Sequence, residues 1–272
     1  MGSNPASPTN PAGPGGSRRP SGPGPWFPPN VIASPGRLND RMCGRFVGNF
    51  AIRDVVAELA GAGGLPGVLV EDGVTESVAN FNTAPTAVWP VVIDGADGAR
   101  VRMARWGLVP GWSRDPSVGA KMINARSETL TEKPSFRNLV KGHRALVPVD
   151  GFYEWERSDP KNKRPYFVPR ADGRLMWVAG LWTVSPVLDG ATTFTMITRA
   201  SLSDLSMIHD RSPVQLRVED AVDWLTAPEP PLGLLSLVDP PELAPHEVDR
   251  RVNSVRNNSP DLVDPVQPDT LF

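Results

Sequence analysis

The chain carries one cysteine, and its position gives it a distinctive chemistry. Cys43 sits in the run Met42-Cys43-Gly44-Arg45-Phe46. If the mature protein starts at Met42 and that methionine is removed, Cys43 carries a free α-amine beside its thiol. Such a 1,2-aminothiol condenses with an aldehyde through the amine, and the thiol then closes a five-membered ring on the same carbon. An α-amine has a reference pKa of ~7.7–8.0, so about a tenth is neutral near pH 7, against well under about one part in a thousand for a lysine. It is therefore the better Schiff-base nucleophile without special burial. The thiol, with a reference pKa of ~8.5, then adds to the imine carbon.

Four further polar stretches interrupt otherwise apolar sequence: Asn82-Thr83-Ala84-Pro85, Ile123-Asn124-Ala125-Arg126-Ser127-Glu128, Gly151-Phe152-Tyr153-Glu154-Trp155 and Ile208-His209-Asp210-Arg211-Ser212-Pro213. Taken singly, each has an ordinary structural reading. A glutamate between aromatics is a strand-edge residue, a histidine before Asp-Arg a structural hydrogen-bonder, and an asparagine before Ala-Arg a turn or cap. Their joint occurrence in this order after Cys43 is the informative signal.

The elements that must position these residues show in the periodicity. Ile52, Val55, Val56 and Leu59 fall at i, i+3, i+4 and i+7, which predicts an amphipathic helix over 50–60 ended by Gly61. Strands are predicted at Val88–Ile93, Val101–Trp106, Ala145–Val149, Pro165–Val168, Leu175–Trp182 and Thr193–Thr198. A second helix is expected over Val218–Leu225. Many strands with few intervening helices exclude a doubly wound parallel sheet. They predict an α+β single domain with a curved, mainly antiparallel, barrel-like sheet flanked by helices. Trp106 closes an alternating strand run and is expected in the core.

Residues 1–41 are rich in Pro, Gly, Ser and Asn and lack apolar periodicity, so they read as a disordered leader. This is either a retained tail or sequence upstream of the true start. We take the second, because Met42 lies at the compositional break, and assign 42–272 to one catalytic domain. Arg18-Arg19 is followed by a stretch too rich in Pro and Gly for an export signal. No apolar run approaches the ~20 residues that span a bilayer. One cysteine excludes an internal disulfide and multi-cysteine zinc motifs, and His143, His209 and His246 are too scattered to suggest a metal site. The formal charge of −2 gives no general support for nucleic-acid binding. Between Arg100 and Arg144, however, ten lysines and arginines face three acids, which permits a local phosphate-tracking surface.

With these motifs in view, the chain resembles the SRAP (SOS response-associated peptidase) family of abasic site processing proteins. The resemblance runs from Met42 to about Val266. It rests on Met42-Cys43-Gly44-Arg45, Arg105-Trp106-Gly107-Leu108-Val109-Pro110-Gly111-Trp112, Asn124-Ala125-Arg126, Asp150-Gly151-Phe152-Tyr153-Glu154-Trp155, His209-Asp210-Arg211, Val252-Asn253 and Arg256-Asn257-Asn258. The resemblance implies that Cys43 becomes the mature N-terminus. It would then capture the ring-opened aldehyde of an abasic deoxyribose in single-stranded DNA as a thiazolidine, with AP-lyase activity through the same Schiff base. It implies that Glu154 shuttles protons, its pKa raised by desolvation from Tyr153 and Trp155. His209 assists sugar ring opening, and Asn124 orients the sugar and nucleophile. By the same resemblance Arg45 and Arg126 would contact phosphates flanking the lesion. Pro85 and Trp112 match positions that would lie against bases. The expected partner is single-stranded DNA containing abasic sites, met by a cytoplasmic monomer (nucleoid-associated in a bacterium) with no membrane, cofactor or metal.

Two other readings stand beside this one. A self-processing cysteine-type peptidase would cleave after Met42 and so expose the amine. A DNA-binding module without chemistry would bury Cys43 as a core residue.

Overall fold

The computed structural model describes residues 1–2 and 44–267, apart from 63–64, 66, 96–97, 157, 160, 203–204 and 237–238. The leader from residue 3 onward, and Cys43 with it, lie outside the described residues.

The chain enters β1 (Arg45–Ala51) and passes into α1 (Ile52–Ala62), the helix expected from the Ile52, Val55, Leu59 stripe. Then come β2 (Leu69–Val70), β3 (Ser77–Thr83), β4 (Val88–Ile93), β5 (Arg100–Trp106) and β6 (Asn124–Arg126). A single helical turn, α2 (Leu139–Gly142), precedes β7 (Arg144–Val149), β8 (Gly151–Glu156), β9 (Arg164–Pro169), β10 (Met176–Ser185) and β11 (Ala191–Ala200). The last part holds α3 (Leu205–Ile208), β12 (Arg211–Pro213), β13 (Gln215–Leu216), α4 (Val218–Thr226) and β14 (His246–Glu247).

Two sheets result. One runs in the order β14-β9-β8-β1-β3, and the other in the order β12-β11-β10-β7-β4-β5-β2. In the larger sheet β5 also pairs in parallel with β11, Arg105 opposite Thr193 and Trp106 opposite Phe194. That contact joins β4, β5, β11, β10 and β7 into a closed ring, which removes the free edges an open sheet would expose. The architecture is the expected α+β, barrel-like one. No helix among the described residues is long and apolar enough to cross a membrane.

The main core is built on four fully buried tryptophans, Trp89, Trp106, Trp177 and Trp224. Three satisfy their indole N–H on backbone carbonyls: Trp89 on Pro148 at 3.0 Å, Trp106 on Ile123 at 3.0 Å and Trp224 on Ala145 at 3.1 Å. Phe46 of β1 packs on both Trp89 and Trp106, each with ring centroids 4.7 Å apart. Gly48, on the same face of β1, is required there because a Cβ would lie 2.5 Å from the Trp89 ring. A smaller cluster of Val47, Tyr153, Phe167, Val248 and Val252 lies on the other face of the β8–β1 sheet. This sheet is therefore buried on both sides, and the pleat decides which side each residue serves.

Candidate active site

Alternation along β8 sends Phe152 to the main core and Tyr153 to the smaller cluster. Glu154 shares the Phe152 face. Tyr153 and Trp155, expected to desolvate Glu154, instead point to the opposite face of the sheet. Tyr153 donates its hydroxyl to the Phe81 carbonyl at 2.8 Å, and burial pushes its phenol up. Trp155 donates its indole N–H to Asn253 Oδ1 at 2.7 Å. Glu154 is nonetheless only 1 % exposed, beneath the turn of α3, which packs on β8.

The residue after α3 is His209, itself only 5 % exposed. Its Nε2 lies 3.6 Å from Glu154 Oε1, an ion-pair separation rather than a hydrogen bond. Its Nδ1 faces two groups: it accepts the Arg211 backbone N–H at 3.1 Å and lies 2.9 Å from Asp210 Oδ1. One ring nitrogen has one in-plane site, so these contacts belong to different protonation states. A bare Nδ1 accepts from Arg211, whereas a protonated Nδ1 donates to Asp210. Glu154 and His209, far apart in sequence, thus form a buried carboxylate–imidazole pair.

Asn124 and Arg126 belong to β6, which runs parallel to β11 with Asn124 opposite Met196 and Arg126 opposite Thr198. The Ile123 carbonyl before Asn124 accepts from both the Trp106 indole and the Met196 N–H, which fixes the start of the strand. Asn124 is half-buried and Arg126 exposed. Two residues further on, Glu128 holds Arg211 in a fork, Oε1 to Nη1 at 3.0 Å and Oε2 to Nη2 at 2.8 Å. Arg211 Nη2 also donates to the Thr198 carbonyl at 2.9 Å. The His209 segment is thereby clamped to the Asn124–Arg126 segment.

Pro85 and Trp112 share an anchor. The turn holding Pro85 is fixed by the Thr86 N–H on the Trp106 carbonyl and the Trp106 N–H on the Ala87 carbonyl. Trp106 then leads into the loop carrying Trp112. Gly107 makes that exit with φ of +115° and lies so close to Gly119 that a Cβ would sit 2.6 Å from its carbonyl oxygen. Trp106 has the expected core role, while Trp112 stands 70 % exposed.

Arg45 is held from two directions, donating to Asn82 Oδ1 at 2.7 Å and to the carbonyls of Val252 and Asn253 at 3.0 and 3.4 Å. None of these partners is a carboxylate, so its charge is not neutralised by them, although burial pulls its pKa below the usual guanidinium range. Asn82 in turn spreads its amide N–H groups over the carbonyls of Val252, Ser254 and Asn257. Three of the ten cations counted between Arg100 and Arg144 have structural work. Arg100 and Arg102 face Glu71, and Arg144 lies buried against carbonyls of α2 and α4.

The roles of Asp210 and of the Glu128–Arg211 fork escaped the sequence reading. Their only signal was an acid and a base of opposite sign in two stretches already singled out. Asn82, too, was noted only as part of a polar run.

The structure defines an α+β barrel protein with a buried Glu–His pair, and it leaves Arg126 and Trp112 exposed. A family model described as SOS response associated peptidase (SRAP) matches residues 42–255, and the chain belongs to this family. It is 37% identical over 229 residues to abasic site processing protein YoqW of Bacillus subtilis, covering 82% of this chain and 99% of that one. It is 30% identical to abasic site processing protein YedK of Escherichia coli, covering 83% and 100%. Abasic site processing protein HMCES of Gallus gallus is 34% identical over 69% of this chain and 66% of its own length. Among solved structures, a protein from Bacteroides thetaiotaomicron superposes with a TM-score of 0.67 at 25% identity, covering 83% of this chain and 100% of that one. A phage-related protein from Bordetella bronchiseptica gives 0.61 at 27%, covering 76% and 95%.

Proposed function

We propose that this protein processes abasic sites in single-stranded DNA by covalent capture through Cys43, with residues 42–272 as the working domain. The observation that carries the reading is the buried pair of Glu154 on β8 and His209, the residue after α3. Its strand, β8, pairs directly with β1, Arg45 opposite Tyr153, and Arg45 follows Cys43 by two residues. Relatives matched over nearly their whole length bear the name abasic site processing protein, which supports the same substrate.

The chemistry balances as follows. His209, as the imidazolium, gives a proton to the ring oxygen of the deoxyribose while the C1′ hydroxyl gives its proton to water, and the sugar opens to its aldehyde. The Cys43 amine adds to that carbon, and loss of water leaves an imine. Glu154 takes the proton that the amine sheds and returns it to the departing hydroxyl. The thiol sulfur then attacks the imine carbon while its proton passes to the nitrogen, closing a thiazolidine. Without that last step the imine directs β-elimination of the 3′ phosphate, which is lyase activity. Asn124 orients the sugar through neutral hydrogen bonds. Arg45 and Arg126 meet the flanking phosphates, and Pro85 and Trp112 meet the bases.

The deciding experiment mixes the full chain, and a form beginning at Cys43, with an abasic single-stranded oligonucleotide. A heat-stable adduct that vanishes in Cys43→Ala is expected. Binding with no adduct from either form would overturn the proposal. A second reading follows from the peptidase in the family's description. Cleavage after Met42 by the chain itself would release the amine, and mass analysis would show the new N-terminus before any DNA is added.

A further inference from the structure

Glu154 and His209 are buried, yet a proton moved between them and a substrate must come from solvent and return to it. Among the described residues, one route past His209 is visible. Asp210 Oδ1 lies 2.9 Å from His209 Nδ1, on the side of the ring away from Glu154, and the Asp210 side chain is 86 % exposed. Among the described residues, the other charged groups beside this ring include Glu154 on β8 and Arg211, whose guanidinium is turned onto Glu128 and Thr198. Asp210 is thus the carboxylate that touches both the ring and the solvent.

We propose that Asp210 is the solvent-side terminal of a proton relay through His209 to Glu154, a role that rests on the abasic-site reading. In the resting ring Nε2 carries the proton towards Glu154, and bare Nδ1 accepts the Arg211 N–H. A proton arriving on Asp210 passes to Nδ1, the ring becomes an imidazolium, and Nε2 releases its proton to Glu154 or to the sugar. The neutral ring left behind carries its proton on Nδ1, hydrogen-bonded to Asp210. The outward relay reverses each transfer and restores the first state. No electrons move and no co-reactant beyond water is needed. Asp210 touches no reacting atom, so it is a positioning and relay residue.

The test measures adduct formation by the full chain on an abasic oligonucleotide at fixed pH with increasing imidazole as a diffusible proton carrier. Asp210→Asn keeps an acceptor for Nδ1 but cannot carry the proton. It is expected to slow the reaction by about 10- to 100-fold, with imidazole restoring the rate in proportion to its concentration and leaving the wild type unaffected. An Asp210→Asn variant as fast as wild type, or slow but indifferent to imidazole, would overturn the relay. Histidine ¹⁵N spectra without DNA give a readout independent of the function. In them Asp210→Ala is expected to slow exchange of the His209 ring proton with solvent, and an unchanged exchange rate would overturn the proposal. A wild type inert on abasic DNA would instead remove the functional reading beneath it.

Discussion

Glu128 and Arg211 are joined by two parallel hydrogen bonds of 3.0 and 2.8 Å, although 83 residues separate them in the chain. This fork directly ties two pieces of the candidate site that both lie along β11, the strand with Asn124 and Arg126 and the segment with His209 and Arg211.

Breaking the fork has opposite effects on stability and binding. Glu128 is 51 % exposed, so its pairing contributes no more than about 1 kcal/mol. Glu128→Gln is expected to lower Tm by about 2–4 °C. It also leaves the Arg211 charge without its counterion beside Arg126, so affinity for single-stranded DNA rises. The slope of log affinity against log salt steepens by about 0.7 for one added phosphate contact. Calorimetry and a salt titration check both.

Removing either member of the buried pair should separate chemistry from binding. Glu154→Gln and His209→Ala are expected to slow adduct formation by about 100- to 10,000-fold. Affinity for an undamaged strand stays within about twofold, since neither buried side chain is placed to reach a flanking phosphate. Parallel loss of both would show that these residues hold the fold rather than perform the reaction.

Trp112 is an exposed aromatic with little packing to lose. Trp112→Ala should leave Tm unchanged and weaken single-stranded DNA binding by about 1–3 kcal/mol. A drop in Tm without a drop in affinity would assign it to the fold.

Asn82 predicts the converse. Its amide reaches three carbonyls and its oxygen receives Arg45, so Asn82→Ala strands several polar groups in a buried position. A loss of about 1–3 kcal/mol per unmet group is expected, read as a lower denaturation midpoint.

Acid weakens the protein in a defined window. The Arg170 side chain beside Asp172 holds that carboxyl at about 2, below its usual range, and the Arg102 side chain lowers Glu71 in the same way. Below the ordinary carboxylate range the unfolded chain binds these protons first, so stability present near pH 5 is lost as pH falls towards 2. Asp172 is exposed and its share is small. Thermal melts between pH 5 and 2 should show a shallower acid decline in Asp172→Asn than in the wild type.

The elements that the sequence revealed are those with a strong apolar period. The helix at Ile52 and the strands at Val88, Val101, Ala145 and Thr193 emerge within a residue or two of their predicted starts, because burial on one face writes a pattern. β1, β3, β6 and β8 were not recognised as strands. They carry Arg45, Asn82, Asn124 and Glu154, polar residues that interrupt the alternation where the candidate site lies. Glu154 was singled out, but the source of its burial was misassigned. Neighbours in sequence along a strand face opposite ways, and the cover comes from α3 some fifty positions later. The ion pair at Arg211 was illegible for a related reason, since register between β6, β11 and β12 brings it together and no local spacing encodes register.

Arg45 receives its carbonyl partner from Val252, 207 positions downstream. β1 can pair with β3 and β8 earlier, but this tie on its first residue forms only after Val252 has left the ribosome. Arg45 is consequently clasped only in chains that reach Val252, and fragments terminated before that residue would lack the hold.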